Sequence, residues 1–178
     1  MLEIEVDPEI NLTQFHESLA EELFSLISAD REYLSQWLVW PKYTKTVEDS
    51  MGFINSSIVG FAEGRSMSCA IIYRGEMVGV VGFRDINREL NSGEIGYWIS
   101  SNHQGKGIVT KSCKRLIQYA FNDLGIEKVE ISVASDNSAS CRVCERLGLK
   151  LECTIKNAEN LHGILIDHVV YGIHSIEI

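Results

Sequence analysis

Between residues 93 and 134 the apolar pattern changes period twice. GEIGYWIS (93–100) reads as a strand, Val109, Cys113, Leu116, Ile117, Ala120 and Leu124 then recur at helical spacing, and KVEISVA (128–134) alternates with Val129, Ile131 and Val133 on one face. A helix of that length between two strands is a crossover, so the two strands are predicted to run parallel. The intervening turn, HQGKGIVTKS (103–112), then sits at the carboxyl end of a strand, and its glycines leave backbone N–H groups uncovered.

The remaining chain surrounds this unit. Residues 12–30 and 30–40 read as helices, the second crowding Tyr33, Leu34, Trp37, Leu38 and Trp40 on one side ahead of Pro41. Thr46 and Asp49 form a capping box that starts a helix running towards Gly64. MSCAIIY and MVGVVGF, joined by RGE, predict a hairpin. A short helix is expected from Ser138 to Leu147, closed by Gly148, and LKLECTIKN and ILIDHVVYGI are strands around a loop, AENLHG (158–163). The order predicts an α+β fold around one mixed sheet.

Composition limits the rest. A chain of 178 residues, 45% hydrophobic, with two prolines and no linker-like run reads as one domain over 1–178. No apolar run approaches the roughly 20 residues of a membrane span, and the acidic N-terminus, MLEIEVDPEI, lacks the features of a signal, so the expected location is cytoplasmic, away from the membrane. Five cysteines, Cys69, Cys113, Cys141, Cys144 and Cys153, have no framework spacing and read as reduced thiols. Cys141 and Cys144 form a CxxC without the second pair that zinc needs, so no metal is expected; a redox role stays open. A net charge of −9 argues against a nucleic-acid partner and suits a cationic one such as an amine.

Spacing separates three phosphate-binding readings of the glycine loop. A Walker loop needs G-x-x-x-x-G-K-[ST], yet Lys106 is followed by Gly107 and Ser100 stands five places before Gly105. The dinucleotide fingerprint needs a third glycine where Thr110 stands. What remains is Gln-Gly-Lys-Gly opening a helix, with amides from Gly105 through Lys106, Gly107, Ile108 and Val109 to Thr110 available to a pyrophosphate and assisted by the helix dipole. An ordinary loop using glycine for positive φ fits the same letters.

The stretch GEIGYWISSNHQGKGIVTKSCKRLIQYAFNDLGIEKVEISVASDNSASCRVCERLGL resembles the acetyl-CoA core of the GNAT superfamily. L-x-x-WL-x-WP upstream and G-x-x-x-DHVVY at the end extend the resemblance to the Rim-type ribosomal-protein N-terminal acetyltransferases. It implies a central mixed sheet whose two parallel strands splay apart to admit the pantetheine arm. The family's phosphate motif, Gln/Arg-x-x-Gly-x-Gly/Ala, maps onto Gln104, Gly107 and Val109, and Val109 departs from the small residue at its last position. A main-chain N–H near Ile99 would face the thioester carbonyl.

By the same resemblance transfer is direct, without an acyl-enzyme. The tyrosine that many GNAT enzymes carry on the second core helix is replaced by Cys144, whereas the serine of the Rim-type enzymes maps onto Ser140, as hydrogen-bond or proton donor to the leaving sulfur. Helical spacing places Ser140 with Val143, Cys144 and Leu147 on the inward stripe; a capping serine is the bland alternative. Asn137 maps onto a pantetheine contact, and it also suits an N-cap. Glu159 maps onto a glutamate proposed as base, with Glu94 as second candidate and Asp167, His103 and His168 as further ones. An α-amine with a pKa near 8 is about 10% neutral at pH 7, against under about 0.1% for a lysine amine, so an α-amine acceptor demands little of the base.

Lys106, Lys111, Lys114, Arg115 and Arg142 are candidates for the nucleotide 3′-phosphate, and Trp37 and Trp40 for the acceptor wall. The expected enzyme acetylates a protein N-terminus and assembles as a homo-oligomer of dimers. A small-amine acetyltransferase and a CoA-binding module without turnover are the alternatives.

Overall fold

The structure, a computed structural model, describes residues 2–177. It departs from the sequence reading at the N-terminus, where strands β1 (Glu3–Asp7) and β2 (Ile10–Gln14) form a hairpin in place of a helix beginning at residue 12. The Asp7 carboxylate accepts the N–H groups of Glu9 and Ile10 at 2.9 and 3.0 Å and closes the turn around Pro8. Ile4, Ile10 and Leu12 alternate into the core, and β2 pairs with the next strand in register Leu12↔Ile71. Helix α1 therefore starts only at Ala20 (Ala20–Ala29). The second helix is also shorter than expected: α2 spans Arg31–Leu34, and residues 35–43 are turns and bends. Arg31 holds that segment by donating to the carbonyls of Pro41 and Thr44.

Helix α3 (Val47–Ala62) begins with the predicted box: Thr46 Oγ1 accepts the Asp49 N–H at 3.3 Å and Asp49 returns the bond to Thr46 N at 2.9 Å. Strands β3 (Met67–Tyr73) and β4 (Glu76–Asn87) form the expected hairpin, with Arg74 and Gly75 both at positive φ, as a type I′ turn requires. Then follow β5 (Ser92–Ile99), α4 (Ile108–Asn122), β6 (Lys128–Ala134), α5 (Ser138–Arg146), β7 (Lys150–Leu161) and β8 (Ile164–His174). AENL is thus strand, not loop. The turn is only His162-Gly163, at φ 54° and 95°, and a register shift between Ile155 and Glu159 absorbs Asn157 at φ 50°.

The eight strands lie in the order β1-β2-β3-β4-β5-β6-β8-β7, antiparallel except for β5 and β6. On one face α4 and α5 cover a core built around Phe83, Ile95, Leu116, Val129 and Ile131; on the other α1 and α3 cover Phe15, Leu23, Ile54 and Val80. Gly82 brings β3 and β4 close. A Cβ there would meet the Met67 carbonyl oxygen, and Ser68 Cα at 2.6 Å, which are backbone atoms without a side-chain route of escape. Gly82→Ala is expected to cost about 1–3 kcal/mol, read as a lower melting temperature; a melting curve that matches the parent would show that the sheet yields there.

Candidate active site

Strands β5 and β6 pair only over Ser92–Glu94 with Lys128–Glu130, then part. The antiparallel ladder to β4 settles what lies in the gap. Ser100 N donates to Val78 O at 2.8 Å, and hydrogen-bonded and open pairs alternate, so Ile99, opposite Gly79, turns its main-chain groups away from β4 and towards the missing partner. The same count on β6, from Ser135 N to Asp167 O at 2.9 Å, turns Ser132 and Ala134 into the gap. The opening is a cleft of about 1330 Å³ that crosses the sheet from the glycine loop to the tryptophan-bearing segment.

The glycine loop borders this cleft. After a 3₁₀ turn at Ser101–His103 the chain passes Gln104, then Gly105 and Gly107 at φ 73° and 74°. Gly107 is the N-cap of α4 without a side-chain cap, and the first helical bond runs from Lys111 N to Gly107 O at 3.0 Å. The N–H groups of Ile108, Val109 and Thr110 precede that bond, so the helix supplies them no acceptor. A Cβ on Gly105 or Gly107 would meet nothing within 4 Å, so the space above those amides is open, and the loop fits a pyrophosphate. Ile108 is buried and anchors the turn, while Val109 packs its side chain against the core beneath. Gln104 donates to the Tyr33 hydroxyl, tying the loop to α2. Asp30 makes a second tie, accepting Ser101 N and Oγ, both at 2.7 Å.

Of the basic residues, Lys111 is bonded to Asp7 at 2.7 Å and Arg115 donates to Glu5 O at 3.2 Å, so the N-terminal hairpin engages both. Lys106 lies over the Tyr73 ring and Lys114 is exposed, both outside the cleft lining, whereas Arg142 lines it, as does Lys111.

On α5, Asn137 caps the helix by accepting Ser140 N at 3.2 Å, and both residues line the cleft. The Tyr97 hydroxyl donates to Ser140 Oγ at 3.1 Å. Sequence reasoning missed this tyrosine, because 43 residues separate it from its partner. Cys144 is fully buried, and burial pushes its thiol up to about 12, so CxxC presents no reactive thiolate from this residue.

Trp37, Trp40 and Trp98 line the opposite mouth, with Trp40 and Trp98 at 5.9 Å between ring centroids. Glu159 reaches the cleft from β7 and accepts His168 Nε2–H at 3.0 Å, leaving His168 Nδ1 to accept from Ser132 Oγ at 3.1 Å. Glu94 is not brought there. It sits where β5 and β6 are still paired, 3.7 Å from Arg84, and does not line the cleft. Asp167 is pulled below the usual carboxylate range by a 2.6 Å bond from Lys156 and by Asn157 N–H, which suits a structural ion pair and not a base. His103 is held by Ser100 Oγ at 2.7 Å beside the loop. Among the described residues no cluster of His, Cys, Asp or Glu is able to hold a metal, and no helix is long and apolar enough to cross a membrane.

Known proteins share this fold. The ribosomal-protein-serine acetyltransferase of Escherichia coli is 29% identical over 169 residues, 95% of this chain and 94% of its own. The solved ribosomal L7/L12 α-N-protein acetyltransferase RimL in complex with coenzyme A is 29% identical, with a TM-score of 0.95 over 97% of this chain and 98% of that one. The microcin C7 self-immunity acetyltransferase MccE, solved with acetyl-CoA and AMP, is 32% identical at a TM-score of 0.91, covering 95% and 94% of the two chains. The model of the acetyltransferase (GNAT) domain matches residues 9–150. A splayed parallel pair, an uncapped glycine turn on α4 and a match across most of its length place this chain in the GNAT family of N-acetyltransferases.

Proposed function

We propose that the chain, as one domain over residues 1–178, transfers an acetyl group from acetyl-CoA to the α-amine of a ribosomal protein in the cytoplasm. The observation that carries the reading is that one cleft joins the glycine loop, the Ile99 main chain, Ser140 and Glu159. Amides of Gly105 to Thr110 would hold the pyrophosphate, with Gln104 at its rim and Asn137 beside the pantetheine arm. The Ile99 N–H, turned into the gap, would stabilise negative charge on the thioester oxygen. Ser140 would protonate the leaving sulfur, and Glu159, oriented by His168, would take the amine proton directly or through water. The tryptophans form the acceptor wall.

The experiment is acetyl-CoA turnover, followed by free thiol, on ribosomal proteins, N-terminal peptides and polyamines. Turnover on protein or peptide α-amines is the expected result. Turnover on polyamines alone overturns the acceptor, and tight CoA binding without acceptor-dependent thiol release overturns the enzyme in favour of a binding module. Glu159→Gln is expected to lower kcat about tenfold, below the roughly 100- to 10,000-fold typical of general bases because an α-amine is already partly neutral; an unchanged kcat removes Glu159 from the role. Assembly as a homo-oligomer of dimers is part of the proposal. The β7 edge and its hairpin carry exposed Leu151, Ile155, Ile164 and Leu165, a surface that a second copy would cover. Light scattering at the mass of one chain would remove it.

A further inference from the structure

Tyr97 belongs to β5, on the same face as Ile95 and Ile99, and its ring crosses from the strand to α5. The hydroxyl has two acceptors there, Ser140 Oγ at 3.1 Å and, more distantly, Ser140 O at 3.5 Å. Burial, aided by the neighbouring thiols of Cys113, Cys144 and Cys141, drives the phenol well above its usual range, so it remains a protonated donor throughout the working pH. A serine hydroxyl has one hydrogen and two acceptor sites. With Tyr97 donating into one acceptor site, Ser140 has no need to spend its own hydrogen on Tyr97, and its helix N–H is already satisfied by Asn137. That hydrogen is left for the cleft that Ser140 lines.

We infer that Tyr97 is a positioning residue for release of the thiol, holding Ser140 so that its hydrogen points at the leaving sulfur. The inference rests on Ser140 as the donor. As the carbon–sulfur bond breaks, its electron pair passes to sulfur. The Ser140 O–H bond breaks as S–H forms, Ser140 Oγ recovers through water the proton that Glu159 took from the amine, and Tyr97 keeps its own. The Tyr97 bond strengthens as negative charge grows on Ser140 Oγ, which is when it lowers the barrier.

CoA itself tests this without knowledge of the acceptor. The thiol of bound CoA is titrated by the ultraviolet absorbance of its thiolate in the parent, Ser140→Ala, Tyr97→Phe and the double variant, with CoA affinity measured by calorimetry. A donor aimed at sulfur favours the thiolate, so Ser140→Ala is expected to raise the bound thiol's pKa by about one pH unit, a size typical of a charge-assisted hydrogen bond. Tyr97→Phe should raise it by most of that amount with CoA affinity within about threefold, and should add nothing in the Ser140→Ala background, since it acts through Ser140. No effect of Ser140→Ala overturns the donor role, and with it the inference. An effect of Ser140→Ala with none of Tyr97→Phe, or equal effects of Tyr97→Phe in both backgrounds, overturns the inference alone. Should Tyr97→Phe melt early, 3-fluorotyrosine in place of Tyr97 keeps the shape while acidifying the donor, and should lower the thiol pKa; an unchanged value counts against the role.

Discussion

Gly107→Val is expected to abolish measurable CoA binding while leaving a folded protein. Gly107 is the N-cap of α4 at φ 74°, a backbone region that valine adopts only at a cost. The cost to folding is about 1–2 kcal/mol, or roughly 2–8 °C of melting temperature for a chain of this size. The cost to binding is larger. Relaxing the cap towards negative φ re-aims the Ile108, Val109 and Thr110 amides, and the branched side chain enters the open space above them. Hydrogen bonds to charged groups are worth about 1.5–3 kcal/mol each, so loss of two raises Kd by about 100-fold or more. Calorimetry against CoA, with melting as the control, reads both. Retained affinity in a folded variant would mean that the phosphates lie elsewhere.

Ser140→Ala should lower kcat by about 10- to 1000-fold, overlapping the lower part of the roughly 100- to 10,000-fold range of general-acid effects, with little change in CoA affinity. The small binding effect follows from position. Ser140 is the third residue of α5, in its first turn, its N–H is capped by Asn137, and an alanine preserves that bond and the helix. What disappears is one O–H facing the cleft, with the oxygen that receives Tyr97. Thiol release under saturating acetyl-CoA and an N-terminal serine peptide measures it. A parental kcat would remove Ser140 from the chemistry, and a large loss of CoA affinity at a parental kcat would recast it as a binding residue.

These two positions were legible in the sequence because each belongs to a strongly periodic segment. The apolar stripe of α4 places Gly107 at its start, and the i, i+3, i+4, i+7 spacing of α5 places Ser140 at the inner face. The parallel pairing of β5 with β6 and its early end agree with the reading of GEIGYWIS and KVEISVA. Where local pattern gave way to distant pairing, the reading failed. The β1–β2 hairpin has only five residues per strand, and it gains its register from β3, some sixty residues on. The polar letters of AENL look like a loop, yet β8 holds them in a strand beyond a bulge, which is how Glu159 comes to face His168. Tyr97 read as one more apolar strand position, since nothing near it in the chain marks its hydroxyl as used.

The two ties between the start of α2 and the glycine turn, Tyr33 to Gln104 and Asp30 to Ser101, bear on how such an enzyme diverges. Under the proposed function, substitutions at Tyr33 or Asp30 would disturb the loop that holds the donor, so at these two positions selectivity and donor affinity would be inherited together. Acceptor range then shifts most freely through Trp37, Trp40 and the His162 turn, which lie beyond those ties, and lineages that change substrate are expected to vary there first.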